Sequence, residues 1–287
     1  MSKDAFATIL TSNSSILAEG PLWHPEHRRV YWTDIDGGLL HAYDPATGLS
    51  EVVHSGSPIG GFTLQEDGCL LLFRAKSAVH LFRDGAIEVL IDHIPDERET
   101  RFNDVAADPQ GRVFCGTMPT TDRKGRLYRL DPDLSLTVIL ENVGCSNGMG
   151  WSPDRRTMYH VDSAEATIFA FDFDPETGDT ANRRSLFKLT TGGTPDGMTV
   201  DADGCLWAAV WGGACLIQVD PQGAEMRRIP MPAPNVTCPA FGGPEYLELY
   251  VTTAGGGQPD SPRGAGELIR VEVEARGVPE FRSRIGL

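Results

Sequence analysis

The chain has 287 residues, with 40 acidic against 25 basic side chains and a net charge of −15 at pH 7. This charge repels phosphate backbones, so a nucleic-acid partner is not expected. The sequence has no apolar run long enough to cross a membrane, and its start lacks the apolar core of a signal peptide, which together predict a cytoplasmic protein without a membrane partner.

Six copies of one phrase follow one another along the chain. Each copy has a short loop, an apolar strand, a turn rich in Pro, Asp and Gly, and a second strand. The copies open at Glu19, Gly60, Asn103, Asn147, Asp196 and Thr237. These openings are 41, 43, 44, 49 and 41 residues apart, a period typical of propeller blades. The predicted fold class is therefore all-β, a six-bladed β-propeller of four-stranded blades around a central channel.

The fourth copy shows the expected strands most clearly. We predict strands at residues 148–151, 157–161, 168–173 and 185–189. Phe169, Phe171 and Phe173 alternate with other residues in the third of these, as in a strand with a strongly apolar face. The fifth copy gives strands at 198–200, 205–210 and 215–219.

The sixth copy is short of strands, because after Thr237 only residues 247–253 and 267–273 have strand character. The N-terminal residues 6–10 have strand character but no blade of their own. We expect this N-terminal strand to complete the sixth blade, which closes the ring and hides a sheet edge. Residues 1–287 are then a single domain.

Four of the six openings are carboxylates or amides: Glu19, Asn103, Asn147 and Asp196. The first strand of each propeller blade lines the channel, so these side chains are expected to converge near the axis. Oxygen ligands favour a hard cation such as calcium, magnesium or manganese, and a cation would relieve the repulsion between the carboxylates. The alternative is that these residues only form turns, for which Asn, Asp and Gly are common.

Several phrases of the sequence carry a family resemblance. AEGPLW, RFND, SNGMGWSPD, TPDGM and PNVTCPAFGG resemble the gluconolactonase and regucalcin (senescence marker protein) family, over residues from about 15 to 273. The chain looks especially similar to bacterial sugar-acid lactonases such as xylonolactonase and arabinolactonase. The resemblance implies a six-bladed propeller with one divalent metal in its channel and hydrolysis of a sugar lactone.

The resemblance also implies roles for individual residues. Glu19, Asn147 and Asp196 match the metal ligands of the family, and Arg101 and Asn103 match its substrate-binding residues. Whether Asn103 also binds the metal directly is left open. Calcium is the first choice of metal, with zinc, magnesium, manganese and ferrous iron as alternatives. Residues 119–121 are Pro-Thr-Thr where regucalcin-like members carry acidic residues, so their sugar selectivity does not transfer to this chain.

The chemistry expected of such a site is metal-dependent hydrolysis of an aldonolactone to the aldonic acid, in carbohydrate metabolism. Asp196, or a water that it holds, is the predicted general base. Hydrolysis of another activated ester or organophosphate, lactone isomerisation and a non-catalytic calcium-binding propeller are alternatives. The sequence has no GxSxG, P-loop or dinucleotide motif. The expected partner is a small sugar lactone, and the expected state is a monomer or weak homo-oligomer.

The cysteines and Trp211 remain to be assigned from the sequence. The cysteines have no CxxC or zinc-ribbon spacing, so reduced thiols that pack in the core are expected. Trp211 precedes Gly212 and Gly213, and it either packs in the core or flanks the mouth of the channel.

Overall fold

The structure is a computed structural model that describes residues 7–287, and it contains six antiparallel sheets of four strands. Blade 1 consists of β2 (Ala18–His24), β3 (Arg29–Asp34), β4 (Leu39–Asp44) and β5 (Leu49–Ser55). Blade 2 consists of β6 (Ile59–Leu64), β7 (Leu70–Arg74), β8 (Val79–Arg83) and β9 (Ala86–Ile91). Blade 3 consists of β10 (Phe102–Ala107), β11 (Val113–Thr117), β12 (Gly125–Leu130) and β13 (Leu136–Val143).

The remaining blades follow the same order along the chain. Blade 4 consists of β14 (Ser146–Trp151), β15 (Thr157–Asp162), β16 (Thr167–Phe173) and β17 (Thr180–Lys188). Blade 5 consists of β18 (Thr194–Val200), β19 (Leu206–Trp211), β20 (Cys215–Val219) and β21 (Glu225–Pro230). Blade 6 consists of β22 (Asn235–Gly242), β23 (Glu248–Ala254), β24 (Leu268–Glu272) and β1 (Ala7–Ile9). The predicted six-bladed propeller is confirmed.

The N-terminal strand closes the ring, as predicted. β1 pairs antiparallel with β24, and Ala7 lies opposite Val271. The strand ends at Ile9, one residue earlier than expected, and Phe6 lies outside the described residues. Closure by the two chain ends gives the last blade its fourth strand and covers the outer edge of β24. That residues 1–287 form one domain stays a prediction.

Hydrophobic packing joins each blade to its neighbours. The buried apolar residues of the described chain form six clusters, and each cluster has members from two adjacent blades. β16 shows why strand alternation leads to this packing. Its residues Phe169, Phe171 and Phe173 join the cluster with blade 3, whereas Ile168 and Ala170, which point to the opposite face, join the cluster with blade 5. Both faces of the sheet are therefore buried.

The innermost strands begin earlier than the sequence predicted. β14 begins at Ser146 rather than residue 148, and β18 begins at Thr194 rather than residue 198. The reason is that the pairing of every first strand with the second is irregular beside the opening residue, as in a β-bulge. A bulge adds an unpaired residue and turns its side chain away from the regular alternation. The opening residues therefore lie within strands and not in loops.

Close approach of the first strands requires glycine at some of these bulges. A Cβ atom on Gly60 would lie 2.0 Å from the carbonyl oxygen of Phe102 in the next blade. A Cβ atom on Gly148 would lie 2.4 Å from the backbone nitrogen of Met198. Any other residue would force neighbouring first strands apart. These glycines thus permit the narrow channel around which the blades are arranged.

The C-terminal segment that follows β24 crosses one end of the channel. Gly277 forms a β-bridge with Asp201 of blade 5, and Ser283 forms one with Gln65 of blade 2. Asp104 and Glu280 line a small cavity of about 70 Å³ at this end. The segment leaves the opposite end of the channel uncovered. Among the described residues, we found no helix whose length and hydropathy would suit a membrane span.

Candidate active site

Four side chains from four blades meet in one cavity at the uncovered end of the channel. Glu19 comes from β2, Asn103 from β10, Asn147 from β14 and Asp196 from β18, and all four are buried. They line a cavity of about 280 Å³. The positions equivalent to these in blades 2 and 6 hold Gly60 and Thr237, which are not among the residues that line this cavity. The cavity is at the small end of the range for ligand sites and is open to solvent.

Hydrogen bonds fix the orientation of the two amides. The Nδ2 of Asn103 donates to Asn147 Oδ1 and to the carbonyl oxygen of Ser146, each at 2.8 Å. The Nη1 of Arg101 donates to Asn103 Oδ1 at 2.7 Å. Asn103 is therefore linked to both Arg101 and Asn147, and its own oxygen already accepts a hydrogen bond. The Oδ1 atoms of Asn103 and Asn147 thus each accept one hydrogen bond and each keep a second lone pair for a cation or a substrate.

Ser163 holds Asn147 from the other side. The Nδ2 of Asn147 donates to Ser163 Oγ at 2.7 Å, and this hydroxyl donates to the carbonyl oxygen of Pro195 at 2.6 Å. Because Nδ2 is engaged in this way, Asn147 presents Oδ1 on its other side. Pro195 directly precedes Asp196, so Ser163 connects the strands that carry two of the candidate ligands. Ser163 was not predicted as a site residue, since the only feature of the sequence that marks it is its place directly after β15.

The carboxylates of the channel are crowded and poorly compensated. Burial raises the pKa of Glu19 well above its ordinary value, and the charges of Asp196 and Asp104 raise it further. Burial, followed by the charge of Asp104, also raises the pKa of Asp196. Burial raises the pKa of Asp104 to about 7, against the opposing charge of Arg101. The charge of Arg101 offsets the cost of ionising Glu19 and Asp104 only in part.

Asp104 is a second residue that the sequence analysis did not assign. It directly follows Asn103, and it lines the small cavity at the covered end of the channel rather than the open one. Its charge nevertheless acts on both Glu19 and Asp196. The signal that was available was its place in the RFND phrase, next to two residues that were assigned.

The wall of the open cavity is less polar than its floor, which is formed by Glu19, Asn103, Asn147 and Asp196. Leu17, Met118, Cys145 and Trp211 line it together with Ser163 and Thr194. Burial raises the pKa of the Cys145 thiol to about 12, so this cysteine is a poor nucleophile at neutral pH. All six cysteines are free, as expected.

The described residues offer no histidine for proton transfer at this site. None of the residues that line the open cavity is a histidine. His160 is buried behind Ser146, with its Nε2 2.9 Å from Ser146 Oγ, and burial lowers its pKa to about 4. A neutral, enclosed imidazole in this place serves packing and the hydrogen bond with Ser146. Proton transfer in the cavity therefore falls to carboxylates or water.

Residues 7–287 contain no cluster of three or more His, Cys, Asp and Glu side chains arranged to hold a metal. The candidate ligand set in the open cavity is not such a cluster, because it combines only two carboxylates, those of Glu19 and Asp196, with amide oxygens. Oxygen-only sets of this type suit hard divalent cations rather than metals that prefer thiolate or imidazole.

Comparison with known proteins assigns the chain to a family. The family model described as SMP-30/Gluconolactonase/LRE-like region matches residues 17–255. The chain is 44% identical to pentonolactonase XacC of Haloferax volcanii, over 98% of this chain and 99% of that protein. It is 35% identical to regucalcin of Xenopus laevis, over 85% of each. A solved structure of regucalcin from Agrobacterium tumefaciens, described as a calcium-binding protein, superposes with a TM-score of 0.90 at 24% identity and 98% coverage of both chains, which shows the shared fold. The chain belongs to the SMP-30/gluconolactonase/LRE-like family.

Proposed function

We propose that this member of the SMP-30/gluconolactonase/LRE-like family hydrolyses a sugar lactone to the aldonic acid and requires one divalent cation. The observation that carries the proposal is the buried set of oxygen side chains from Glu19, Asn147 and Asp196 in one solvent-accessible cavity. The name of the relative from Haloferax volcanii supports lactone hydrolysis and makes five-carbon sugar lactones the first substrates to test.

The residues of the cavity fit a divalent cation. Glu19, Asn147 and Asp196 would hold it, since buried carboxylates whose charge is only partly compensated favour a bound cation over the empty site. Calcium is the first choice because every candidate ligand is an oxygen, and the Agrobacterium relative is described as calcium-binding. Magnesium, manganese, zinc and ferrous iron are the alternatives to test.

A bound cation supplies Lewis-acid polarisation of the ester carbonyl and a lower pKa for bound water. Arg101 and Asn103 would bind the hydroxyl groups of the lactone and orient its ring. Asp196, or a water that it holds, would take a proton from the attacking water. Water adds to the carbonyl carbon, the bond to the ring oxygen breaks, and that oxygen takes up the proton that the base had accepted. The carboxylic acid that forms releases the other proton of the water to solvent, which gives a carboxylate and a hydroxyl group. A lactone needs only a modest base, because the ester is already activated.

The proposal is tested with a panel of five- and six-membered sugar lactones, assayed with and without a chelator. Turnover that the chelator abolishes and calcium or another divalent ion restores is the expected result. In Asp196→Asn, we expect turnover to fall by about a hundredfold or more, since general base catalysis contributes about 10²–10⁴-fold. Lactone turnover that resists the chelator would refute metal dependence. Turnover of aryl esters or organophosphates without lactones would favour the alternative hydrolase, and none at all would favour a non-catalytic binding protein.

The proposal also includes two expectations that rest on the sequence alone. These are the cytoplasmic location and the monomeric or weakly oligomeric state. Fractionation of the native cells and light scattering across a range of protein concentrations would test them.

A further inference from the structure

Trp211 differs from every other tryptophan of the chain. Its exposed fraction is 38%, whereas each of the other four tryptophans is at most 6% exposed. Trp211 also lines the open cavity, together with Glu19 and Asp196. An indole ring is costly to leave in water, and a ring at the rim of a ligand cavity gains stabilisation when a ligand covers it.

The backbone around Trp211 is well anchored although its ring is exposed. Trp211 ends β19 and lies opposite Thr194, two residues before Asp196 on β18. The turn after it is held by hydrogen bonds from the nitrogen of Gly213 to the carbonyl oxygen of Val210 and from the nitrogen of Ala214 to that of Pro234. The ring therefore projects from a fixed strand end rather than from a loose loop.

The positions equivalent to Trp211 in blades 3 and 4 also line the cavity. The residues directly before Asn103, Asn147 and Asp196 pair with Thr117, Asp162 and Val210 of the second strands. The residues that follow these partners are Met118, Ser163 and Trp211, and all three line the cavity. The ends of three second strands thus form a wall around the candidate ligands.

This part of the wall has one apolar side chain on each side of a hydroxyl group that already makes two hydrogen bonds. Ser163 accepts from Asn147 and donates to the Pro195 carbonyl, so its hydrogen-bonding capacity is largely used. Met118 in blade 3 and Trp211 in blade 5 offer surface without free hydrogen-bond acceptors. Most of the polar groups available to a ligand therefore lie on the floor, and the wall offers mainly apolar contact.

We propose that Trp211 is a substrate-binding and selectivity residue, whose indole face packs against the C–H face of the lactone ring. This inference rests on the proposed function. A sugar ring has hydroxyl groups at its edges and C–H bonds on its faces, which matches a polar floor and an apolar wall. A six-carbon lactone carries a further hydroxymethyl group, which would lose water where it packs against the largely apolar surface of Met118 and Trp211. Five-carbon lactones are therefore preferred, by about tenfold or more.

Kinetics of Trp211→Ala and Trp211→Phe test this inference, with Leu49→Ala as the control because Leu49 is exposed on the outer strand β5. In Trp211→Ala we expect KM for five-carbon lactones to rise about tenfold, with a smaller change in kcat and a reduced preference over six-carbon lactones. Trp211→Phe keeps an aromatic face and should recover most of the loss. Unchanged KM and unchanged preference in Trp211→Ala would overturn the inference.

Fluorescence quenching gives a second readout that needs no altered chain. Acrylamide should quench Trp211 in preference to the buried tryptophans, and a saturating 1,4-anhydropentitol, a ring analogue of the lactone that cannot be hydrolysed, should protect it. Trp211→Phe should lack the quenchable fraction. Quenching that is unchanged when this ring analogue binds would overturn the inference even if a variant fails to fold. A wild-type protein that hydrolyses no lactone instead refutes the proposed function, so the two failures are distinguishable.

Discussion

Replacing Ser163 with alanine tests whether the hydrogen bonds around Asn147 prepare the site for a cation. The change removes the acceptor for Asn147 Nδ2 and the donor to the Pro195 carbonyl oxygen. Asn147 then loses the partner of its Nδ2, and only the hydrogen bond from Asn103 Nδ2 still directs its oxygen, so the side chain is held less firmly. We expect the fold to persist, because Ser163 lies at the rim of an open cavity and not in the core.

The size of the effect follows from these two contacts. Each hydrogen bond contributes about 0.5–1.5 kcal/mol net to folding, and water from the open cavity can replace part of the loss. The free energy of unfolding should therefore fall by about 1–2 kcal/mol. Loss of a side chain that orients a metal ligand typically weakens metal binding by about 10–100-fold. The loss in metal affinity should thus be about 1.4–2.8 kcal/mol.

Calorimetric titration of the chelator-treated protein with calcium measures the affinity, and urea unfolding measures stability. Ser152→Ala is a matched control, because the Ser152 hydroxyl also joins two groups but lies in the turn between β14 and β15, at the other end of the same blade. Ser163→Thr keeps a hydroxyl and should retain most of the affinity. Calcium affinity in Ser163→Ala equal to that of the wild type, with Ser152→Ala also unchanged, would show that Asn147 is not oriented by Ser163 or is not a ligand.

Two stability predictions concern other parts of the ring. Burial lowers the pKa of His160 to about 4, so on acidification the unfolded chain binds a proton at this residue before the folded protein does. The free energy of unfolding should therefore fall between pH 6.5 and about 4, by up to about 3 kcal/mol. His160→Gln should flatten this part of the pH dependence when stability is measured by urea unfolding. Arg112 is buried, pairs with buried Asp108 and donates to carbonyl groups of the next blade, so Arg112→Met should cost about 3–5 kcal/mol in thermal or urea unfolding. Arg29→Met, which breaks an exposed pair with Glu51, should cost less than about 1 kcal/mol, and equal losses in the two arginine variants would contradict the reasoning.

The repeat of about 41 to 49 residues was sufficient to predict the architecture from the sequence. Strand alternation and turn residues are local signals, and they recur in each blade because each blade has the same local geometry. The shortage of strands after Thr237 also predicted the closing strand, which the structure places at Ala7–Ile9. The phrases around Glu19, Asn147 and Asp196 indicated the family, because the order of residues in these short segments is itself a local pattern.

The tertiary structure decided what surrounds those residues. The bulges that place Asn147 and Asp196 inside strands depend on how first strands crowd around the axis, which no local pattern records. The contacts of Ser163, the charge of Asp104 on Glu19 and the exposure of Trp211 join residues that are far apart in the chain. Local patterns determined the ring and the identity of its polar residues. Only packing between blades determined the orientation, burial and electrostatic environment of those residues, because these arise from contacts between distant segments.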